Sequence, residues 1–419
     1  MAGEIQLAAA GKRVIPRGDV GARVAPRKLT RGPIEADVAL AMVPVEFVSV
    51  ILPCLNEEDA VAATVVDAQR GLAAAGVAGE ILVADNGSTD RSVERAIAAG
   101  AVVVTASRRG YGAAIQAGLD AAQGEVIVVA DADQTYDLAC LGDMIAPIRT
   151  GTDLVIGARS RGTIAAGALP TLHRYVGTPV LTRLLSGLIG TPLADSQSGF
   201  RAFRREAVAG LALRAKGMEY ASEMVLRAGR AGLAVTEVPV NYRVRVGESK
   251  LSTFGDGWRH LRLLLLLSPH VSLLLPGVVA MCLGVVLCAV SLIAPTGVAL
   301  GSVRWLPVFL GPMLVILGSQ SVLLGALAAH RSPLTPAAIR RRLRGLGQPN
   351  AMNRLLGAFA VVALLGLTID AVLLGFWLAD ETGPSLLGVA GLAQALVVVG
   401  SCGIATLFAV DYARDVLDW

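Results

Sequence analysis

Val126-Ile127-Val128-Val129-Ala130-Asp131-Ala132-Asp133 is an apolar run that ends in two carboxylates one residue apart. Gly124-Glu125 precedes it and polar residues follow, so it reads as a buried strand whose carboxyl end carries the acids. Open α/β sheets bind their ligands outside that end of the strands. Extended alternation would point the two side chains apart, but a turn at the strand end can converge them on one hard cation, which could in turn hold a diphosphate.

Outward from this strand the same pattern repeats. Val48 to Leu52, Ile81 to Ala84, Val102 to Thr105, Leu154 to Gly157 and Val235 to Val240 are further strand candidates. Helical periodicity fills the intervals near 58–75, 90–99, 111–122, 137–149 and 219–230. Such alternation predicts βαβ units and an α/β, mainly parallel, twisted sheet.

The C-terminal part is different in kind. With 54% apolar residues and a mean hydropathy of +0.62, the 419-residue chain is too apolar for an ordinary soluble protein. Four apolar stretches, roughly 271–294, 303–329, 355–379 and 386–410, are each long enough to cross a bilayer core of about 30 Å as a helix. Arg331, Arg340, Arg341, Arg342, Arg344 and Arg354 lie between the second and third stretches with no acid among them. The loop Asp380-Glu381-Thr382-Gly383-Pro384 has no base. The positive-inside rule then predicts an integral membrane protein of four spans with both termini and the large N-terminal region cytoplasmic.

Domain boundaries follow: a flexible basic arm over 1–45, a catalytic α/β domain over 46–253, an amphipathic interfacial helix over 254–269, and four transmembrane helices over 270–419. The arm, with Lys12, Arg13, Arg17, Arg23, Arg27, Lys28 and Arg31 among Gly and Pro, reads first as a solvated tail that anionic headgroups would attract. No signal-peptide pattern opens the chain. A net charge of +4 does not argue for nucleic acid. Cys54, Cys140, Cys282, Cys288 and Cys402 show neither metal-type spacing nor a disulfide framework.

Three strand ends carry candidate chemistry. Pro53-Cys54-Leu55-Asn56-Glu57-Glu58 follows the first strand and alone would be a helix start, with Asn56 as its N-cap. Asp85-Asn86-Gly87-Ser88-Thr89-Asp90 follows the second and alone would be a turn with Thr89 or Asp90 capping the next helix. Arg109-Gly110-Tyr111-Gly112 could admit a phosphate closely. With Asp131 and Asp133, however, Glu57 and Asp85 place acids at three strand ends on one sheet edge, which capping does not explain. In the third apolar stretch, Asp370 is costly unless paired, and Gln320 or Gln394 of neighbouring spans are its candidate partners.

These strings, together with Asp195-Ser-Gln-Ser-Gly-Phe-Arg201 and Arg245-Val-Gly-Glu-Ser-Lys250, resemble the family-2 inverting glycosyltransferases of GT-A fold. Within them they are similar to the dolichol-phosphate mannose synthase and polyprenyl-phosphate glycosyltransferase group. The resemblance implies transfer of a hexose of the mannose or glucose class from a UDP- or GDP-sugar to a polyprenyl or dolichyl phosphate at the cytoplasmic membrane face. It implies Mg²⁺ or Mn²⁺ on Asp131 and Asp133 of the Asp-x-Asp motif, with Asp195 and Arg201 completing the catalytic set. Pro53, Asn56, Glu57, Asp85, Ala132, Gln134, Arg245 and Lys250 would bind the donor. Arg159, Arg174, Thr178 and Ser198 would bind the acceptor phosphate. Mannose synthases of the group commonly carry Leu-Gln-His after the second acid, whereas Gln134-Thr135-Tyr136 stands here, so the third metal ligand and the sugar stay open. The membrane block is compatible with a homo-oligomer.

A polyprenyl phosphate is already an anion at neutral pH, so the work is to bring two anions together, for which a metal and several arginines suffice. Two alternatives compete. A processive polysaccharide synthase would carry Gln-x-x-Arg-Trp on an interfacial helix, but here Arg304-Trp305 has Gly301 in the Gln position. A membrane transporter or scaffold with a nucleotide-sugar sensor would not need both the acidic pair and the basic set.

Overall fold

The computed structural model describes residues 45–247, 253–300, 303–332, 334–348, 350–379 and 383–417; the arm up to residue 44, Lys250 and residues 380–382, with Asp380 and Glu381, lie outside these. Strands β1 (Phe47–Cys54), β2 (Ala78–Asp85), β3 (Val102–Thr105) and β4 (Val126–Val129) alternate with helices α1 (Val61–Ala74), α2 (Ser92–Ala98) and α3 (Tyr111–Ala121). Then come α4 (Leu141–Arg149), β5 (Leu154–Ala158), α5 (Thr178–Ile189), β6 (Arg201–Arg204), α6 (Arg205–Ala209), α7 (Tyr220–Ala231) and β7 (Val235–Pro239). They build a seven-stranded sheet in the order β3-β2-β1-β4-β6-β5-β7.

Period-two alternation sorts the strand side chains into two cores. Val50, Leu52, Ile81 and Val83 pack with Val61, Val65, Met144 and Ile148 of α1 and α4. Ile51 and Leu82 point the other way, to Ile115 of α3, Leu185 of α5 and Met224 and Val225 of α7. The centres of β1 and β2 and all of β4 are therefore buried on one face or the other, the signature of a helix-covered parallel sheet.

The sheet is not wholly parallel. Strand β6 runs antiparallel between β4 and β5, with Arg201 opposite both Val129 and Ile156. Reversal puts the amino end of β6 at the edge where β1, β2 and β4 end, so the segment 195–200 arrives beside Asp131. The pattern Arg-Ala-Phe-Arg, with two apolar residues between two cations, hides this strand from a reading based on apolar runs.

Helix α8 (Thr253–Leu267) stops at Ser268-Pro269, and a π-turn over His270–Leu274 leads into α9 (Leu275–Ile293). His260 and Leu264 are buried, whereas Trp258 and Leu266 on the same helix are exposed. A hairpin of β8 (Val298–Leu300) and β9 (Val303–Trp305) follows, then α10 (Leu310–Arg331), α11 (Ala337–Arg342), α12 (Ala351–Leu378) and α13 (Pro384–Leu417). Four helical segments are long and apolar enough to cross a membrane: His270–Ile293, Leu310–Arg331, Ala351–Leu378 and Leu386–Val410. The second begins later than its apolar run because the first residues of that run pair in the hairpin. This is an integral membrane protein.

Without a hydrophobic drive between helices in lipid, small residues and polar pairs hold such a bundle. Helices α9 and α10 meet through Gly277 and Gly284 against Gly311, Gly318 and Gly325, each a heptad apart, the repeat of left-handed packing. A Cβ on Gly318 would stand 2.5 Å from the Met281 nitrogen. Polar links join the other helices: Gln394 Nε2 donates to Asp370 Oδ2 at 2.8 Å, and Thr406 Oγ1 to Gln320 Oε1 at 3.1 Å. Asp370 is thus paired with Gln394 of the neighbouring helix, one of the two partners its position suggested.

Gly318→Leu is expected to cost about 2 kcal/mol or more through overpacking, read as a lower unfolding midpoint in detergent. Gly375→Leu, at a position with no neighbour within 4 Å, should leave the midpoint unchanged. Equal behaviour of the two would show that α9–α10 contact does not hold the bundle.

Candidate active site

The parallel register sets the carboxyl ends of three strands side by side: Cys54 pairs with Asp85, and Ile51 with Val129 two residues before Asp131. The loops that follow β1 and β2 are latched together. Thr89 N donates to Asn56 Oδ1 at 2.7 Å, Asn56 N to Ser88 Oγ at 3.0 Å, and Glu57 N to Ser92 Oγ at 2.8 Å. Asn56 is therefore not the N-cap of α1; it takes φ 52°, and α1 is preceded by Ala60 without a side-chain cap. Asp90 does serve the start of α2, accepting from Ser92 N at 3.0 Å. The buried Asp85 carboxylate accepts from Gly87 N and Ser88 N, both at 3.1 Å, and so shapes its own turn.

The turn after β4 carries the acidic pair. Asp133 accepts from Thr135 N at 3.1 Å and Thr135 Oγ1 at 2.6 Å through Oδ1, while its Oδ2 lies 3.5 Å from Arg245 Nε. Arg245 also pairs with Glu57, bridging the β1 and β4 ends. Thr64 Oγ1 of α1 donates to the buried Ala132 carbonyl at 3.1 Å. Gln134 sits at φ 62°, a conformation that a residue with a side chain rarely adopts and that functional turns often hold. On the other side, Tyr111 OH donates to Asp131 Oδ1 at 3.1 Å. Gly199 comes so close that a Cβ there would stand 2.8 Å from Asp131 Oδ2.

Burial, then the charge of Asp133, pushes the Asp131 carboxyl up to about 7, against the pull of Tyr111, Arg159 and Arg245. The phenol of Tyr111, held well above its usual range by burial and by Asp131, remains a proton donor. Two carboxylates this close, one of them pushed toward its protonated form by burial and by its neighbour's charge, form a natural seat for a divalent cation. Mg²⁺ and Mn²⁺ prefer such oxygen donors and take further ligands from water and substrate phosphate. Among the described residues no group of three or more His, Cys, Asp or Glu side chains is arranged for a metal. The pair fits a cation shared with a diphosphate, not a cage made wholly of protein.

The basic residues divide into two sets. Arg159 is buried and forks onto Asp195, Nε to Oδ2 at 2.7 Å and Nη2 to Oδ1 at 2.9 Å, with its guanidinium 5.2 Å above the Tyr242 ring. Arg201 is 3% exposed, and its Nε, Nη1 and Nη2 donate to the carbonyls of Ser198, Ala221 and Ser196 at 2.9, 2.7 and 2.8 Å. That arrangement braces the 196–198 loop rather than presenting the cation to a substrate. Ser198 is fully buried, its Oγ 3.3 Å from Tyr136 OH. Arg174, stacked 5.5 Å from the Tyr175 ring, and Thr178 stand instead at the exposed start of α5, and no hydrogen bond or ion pair joins them to the acidic group. Pro53 pairs with Ala84 within the sheet.

Reading by motif missed Tyr111 as the Asp131 partner and missed Glu237. Glu237 accepts from Ala194 N and Asp195 N at 2.8 Å and pairs with Arg161 at 3.3 Å, which aims the Asp195 loop. Glu237 sits within β7, where an acid at a strand centre is its one visible signal.

Residues 49–211 match the model of glycosyl transferase family 2. The chain is 33% identical to the low-salt glycan biosynthesis hexosyltransferase Agl6 of Haloferax volcanii over 84% of this chain and 85% of that one. It is 34% identical to a dolichyl-phosphate hexose transferase of the same organism, over 50% of this chain and 88% of that one. A crystal structure of glucosyl-3-phosphoglycerate synthase from Mycobacterium tuberculosis in complex with Mn²⁺ and UDP-glucose aligns with a TM-score of 0.43 and 28% identity, covering 53% of this chain and 78% of that chain. The chain belongs to glycosyl transferase family 2. It is a glycosyltransferase of GT-A fold joined to four membrane helices.

The raised Asp131 pKa carries a stability prediction. Its folded value of about 7 exceeds the 3.8 of the free side chain, so the folded state gains protons relative to the unfolded one between those pH values, and stability falls as pH rises through that window. In EDTA, Asp131→Asn is expected to raise stability at pH 7.5 by about 4 kcal/mol, since the pKa rises from 3.8 to about 7 and each unit is worth about 1.4 kcal/mol. At pH 4 it should change little. A variant no more stable than wild type at pH 7.5 would contradict the geometry of the pair.

Proposed function

We propose that this enzyme transfers a hexose of the mannose or glucose class from a UDP- or GDP-sugar to the phosphate of a polyprenyl or dolichyl lipid, with its catalytic domain on the cytoplasmic side of the membrane. One observation carries the reading: the paired acids Asp131 and Asp133 stand at the carboxyl edge of a domain continuous with helices that enter the membrane. The relatives named for hexosyl transfer and for dolichyl phosphate support it.

Asp131 and Asp133 would hold Mg²⁺ or Mn²⁺, whose charge offsets that of the sugar nucleotide's diphosphate. Tyr111 holds the Asp131 carboxylate in place. Asp85 and the latched loop of Asn56 and Glu57 would form the nucleoside side, and Arg245, between Glu57 and Asp133, is placed to meet a diphosphate oxygen. A lipid-phosphate oxygen attacks the anomeric carbon as the bond to the diphosphate breaks, inverting that centre. No strong base is needed, because the nucleophile is already ionised. Exposed Arg174 and half-buried Thr178, at the start of α5, would draw in the acceptor phosphate, and Lys250 would join Arg245 on the donor. Arg159, Asp195, Ser198 and Arg201 are assigned to shape the wall between donor and acceptor.

A processive synthase is the less supported reading, because Arg304 and Trp305 belong to the β8–β9 hairpin and not to an interfacial helix.

Purified enzyme given a panel of radiolabelled UDP- and GDP-hexoses with polyprenyl phosphate and Mg²⁺ or Mn²⁺ should yield an organic-extractable labelled product with one donor. Label found in polymer, or only as free sugar, would overturn the assignment. Asp133→Asn should remain folded and lose transfer by about a thousandfold, the scale of losing a principal charge-stabilising group. Arg174→Ala should raise the lipid-phosphate KM, and unchanged acceptor dependence would remove it from that role.

A further inference from the structure

We infer that His260 of α8, acting through Ser222 and Gln197, is a positioning residue that fixes the wall of the transfer site to the helix leading into the membrane. The inference rests on the transferase reading above and concerns how its site is aligned with the bilayer.

A chain of side-chain hydrogen bonds, buried at both ends and half-buried at Gln197, crosses four elements. His260 Nδ1 lies 2.7 Å from Ser222 Oγ on α7. Gln197 Nε2 donates to Ser222 Oγ at 3.1 Å and to Ser196 Oγ at 2.9 Å, and Ser196 Oγ is 3.0 Å from Thr182 Oγ1 on α5. Ser222 and Ser196 are fully buried, and His260 is 8% exposed. Burial, the larger influence, drops the His260 pKa to about 4, so the ring is neutral and one nitrogen is free to accept. Ser222 has one hydroxyl hydrogen and faces both His260 Nδ1 at 2.7 Å and Gln197 Oε1 at 3.2 Å; whichever takes that hydrogen, the neutral ring meets Ser222 Oγ, as acceptor or as Nδ1–H donor.

The chain ends where the chemistry is. Gln197 lies between Asp195, the partner of Arg159, and Gly199, which presses on the Asp131 carboxylate. Displacing Gln197 therefore moves both walls of the acidic pair. At its other end, α8 reaches the first membrane helix within a few residues of Leu267. Apolar side chains would fill this interior without the desolvation penalty of five polar groups, but they would not fix direction. A satisfied polar chain sets one orientation of α8 against the loop.

Full-length wild type, Ser222→Ala, His260→Leu, His260→Asn and the double variant Ser222→Ala/His260→Leu, in lipid nanodiscs, provide the test. Amide exchange at 195–199 should rise about tenfold in Ser222→Ala and His260→Leu, the effect of losing a buried hydrogen bond. Exchange in β1 and β2 should stay constant. The lipid-phosphate KM should rise by a similar factor with the sugar-nucleotide KM held within about twofold, His260→Asn should recover most of both, and the double variant should be no worse than the poorer single one. Unchanged loop exchange, additive effects, or exchange raised equally across the domain would overturn the inference. Should His260→Leu fail to fold, Ser222→Ala, which removes one oxygen, decides alone. If wild type forms no lipid-linked sugar, the proposed function fails, and loop exchange still settles the coupling.

Discussion

Two carboxylates, Asp131 and Asp133, repel each other in a setting too dry to screen the repulsion, and much of the catalytic domain is arranged around that fact. Burial and mutual charge raise the Asp131 pKa to about 7, which in a protein without function would be relieved by a lysine or by an amide. Instead the surrounding donors compensate in part. Tyr111 gives one hydrogen bond to Asp131, and Arg245 divides its charge between Asp133 and Glu57. The residual deficit of positive charge is what makes the place receptive to a cation carrying a diphosphate. Strain is retained in the same turn, where Gln134 holds φ 62°.

That deficit also explains why Arg159 and Arg201 are tied down. A free guanidinium beside the pair would neutralise it and compete with a metal. Arg159 is instead locked in a forked ion pair with Asp195, and Arg201 spends its nitrogens on three carbonyls. Burying an arginine on carbonyls alone works against its charge, and its pKa is lowered by that burial. The return is a rigid loop, because each carbonyl it holds lies in or against the segment that abuts Asp131. Glu237 completes the frame from β7 by accepting two backbone N–H groups of the same loop.

How far this was legible in the sequence depended on whether a residue's role was local. Strands β4 and β5 are uninterrupted apolar runs buried on both faces, β1 and β2 carry such runs over Val50–Leu52 and Ile81–Ala84, and period and bounding residues reveal them. Strand β6 escaped because its ends are arginines and its burial comes from β4 and β5 on either side, which no window of sequence displays. Asn56 reads as an N-cap by every local rule, yet a bond to Thr89 more than thirty residues away takes its side chain. Arg159 and Arg201 look like any phosphate-binding arginines, and their partners, Asp195 and distant carbonyls, appear only once β6 folds back. The acidic motif itself was readable because strand, turn and carboxylates are contiguous.

Membrane attachment imposes the remaining constraint. A soluble transferase can let its acceptor diffuse into any orientation, but the lipid phosphate proposed as acceptor would arrive at a depth set by the bilayer, and the site would then have to keep its height and tilt relative to the helices. Helices α9 and α10 supply a rigid reference, since backbone approaches backbone along a ladder of glycines and leaves little room to slide. Above them α8 carries Leu264 into the core of the catalytic domain and leaves Trp258 and Leu266 uncovered on its other side. Apolar burial of Leu264 fixes how closely α8 sits, whereas hydrogen bonding is directional and fixes how it is turned. An enzyme that must join two anions over a short distance gains most from that angular restraint, because misalignment of reacting atoms by about 1 Å can cost two orders of magnitude in rate.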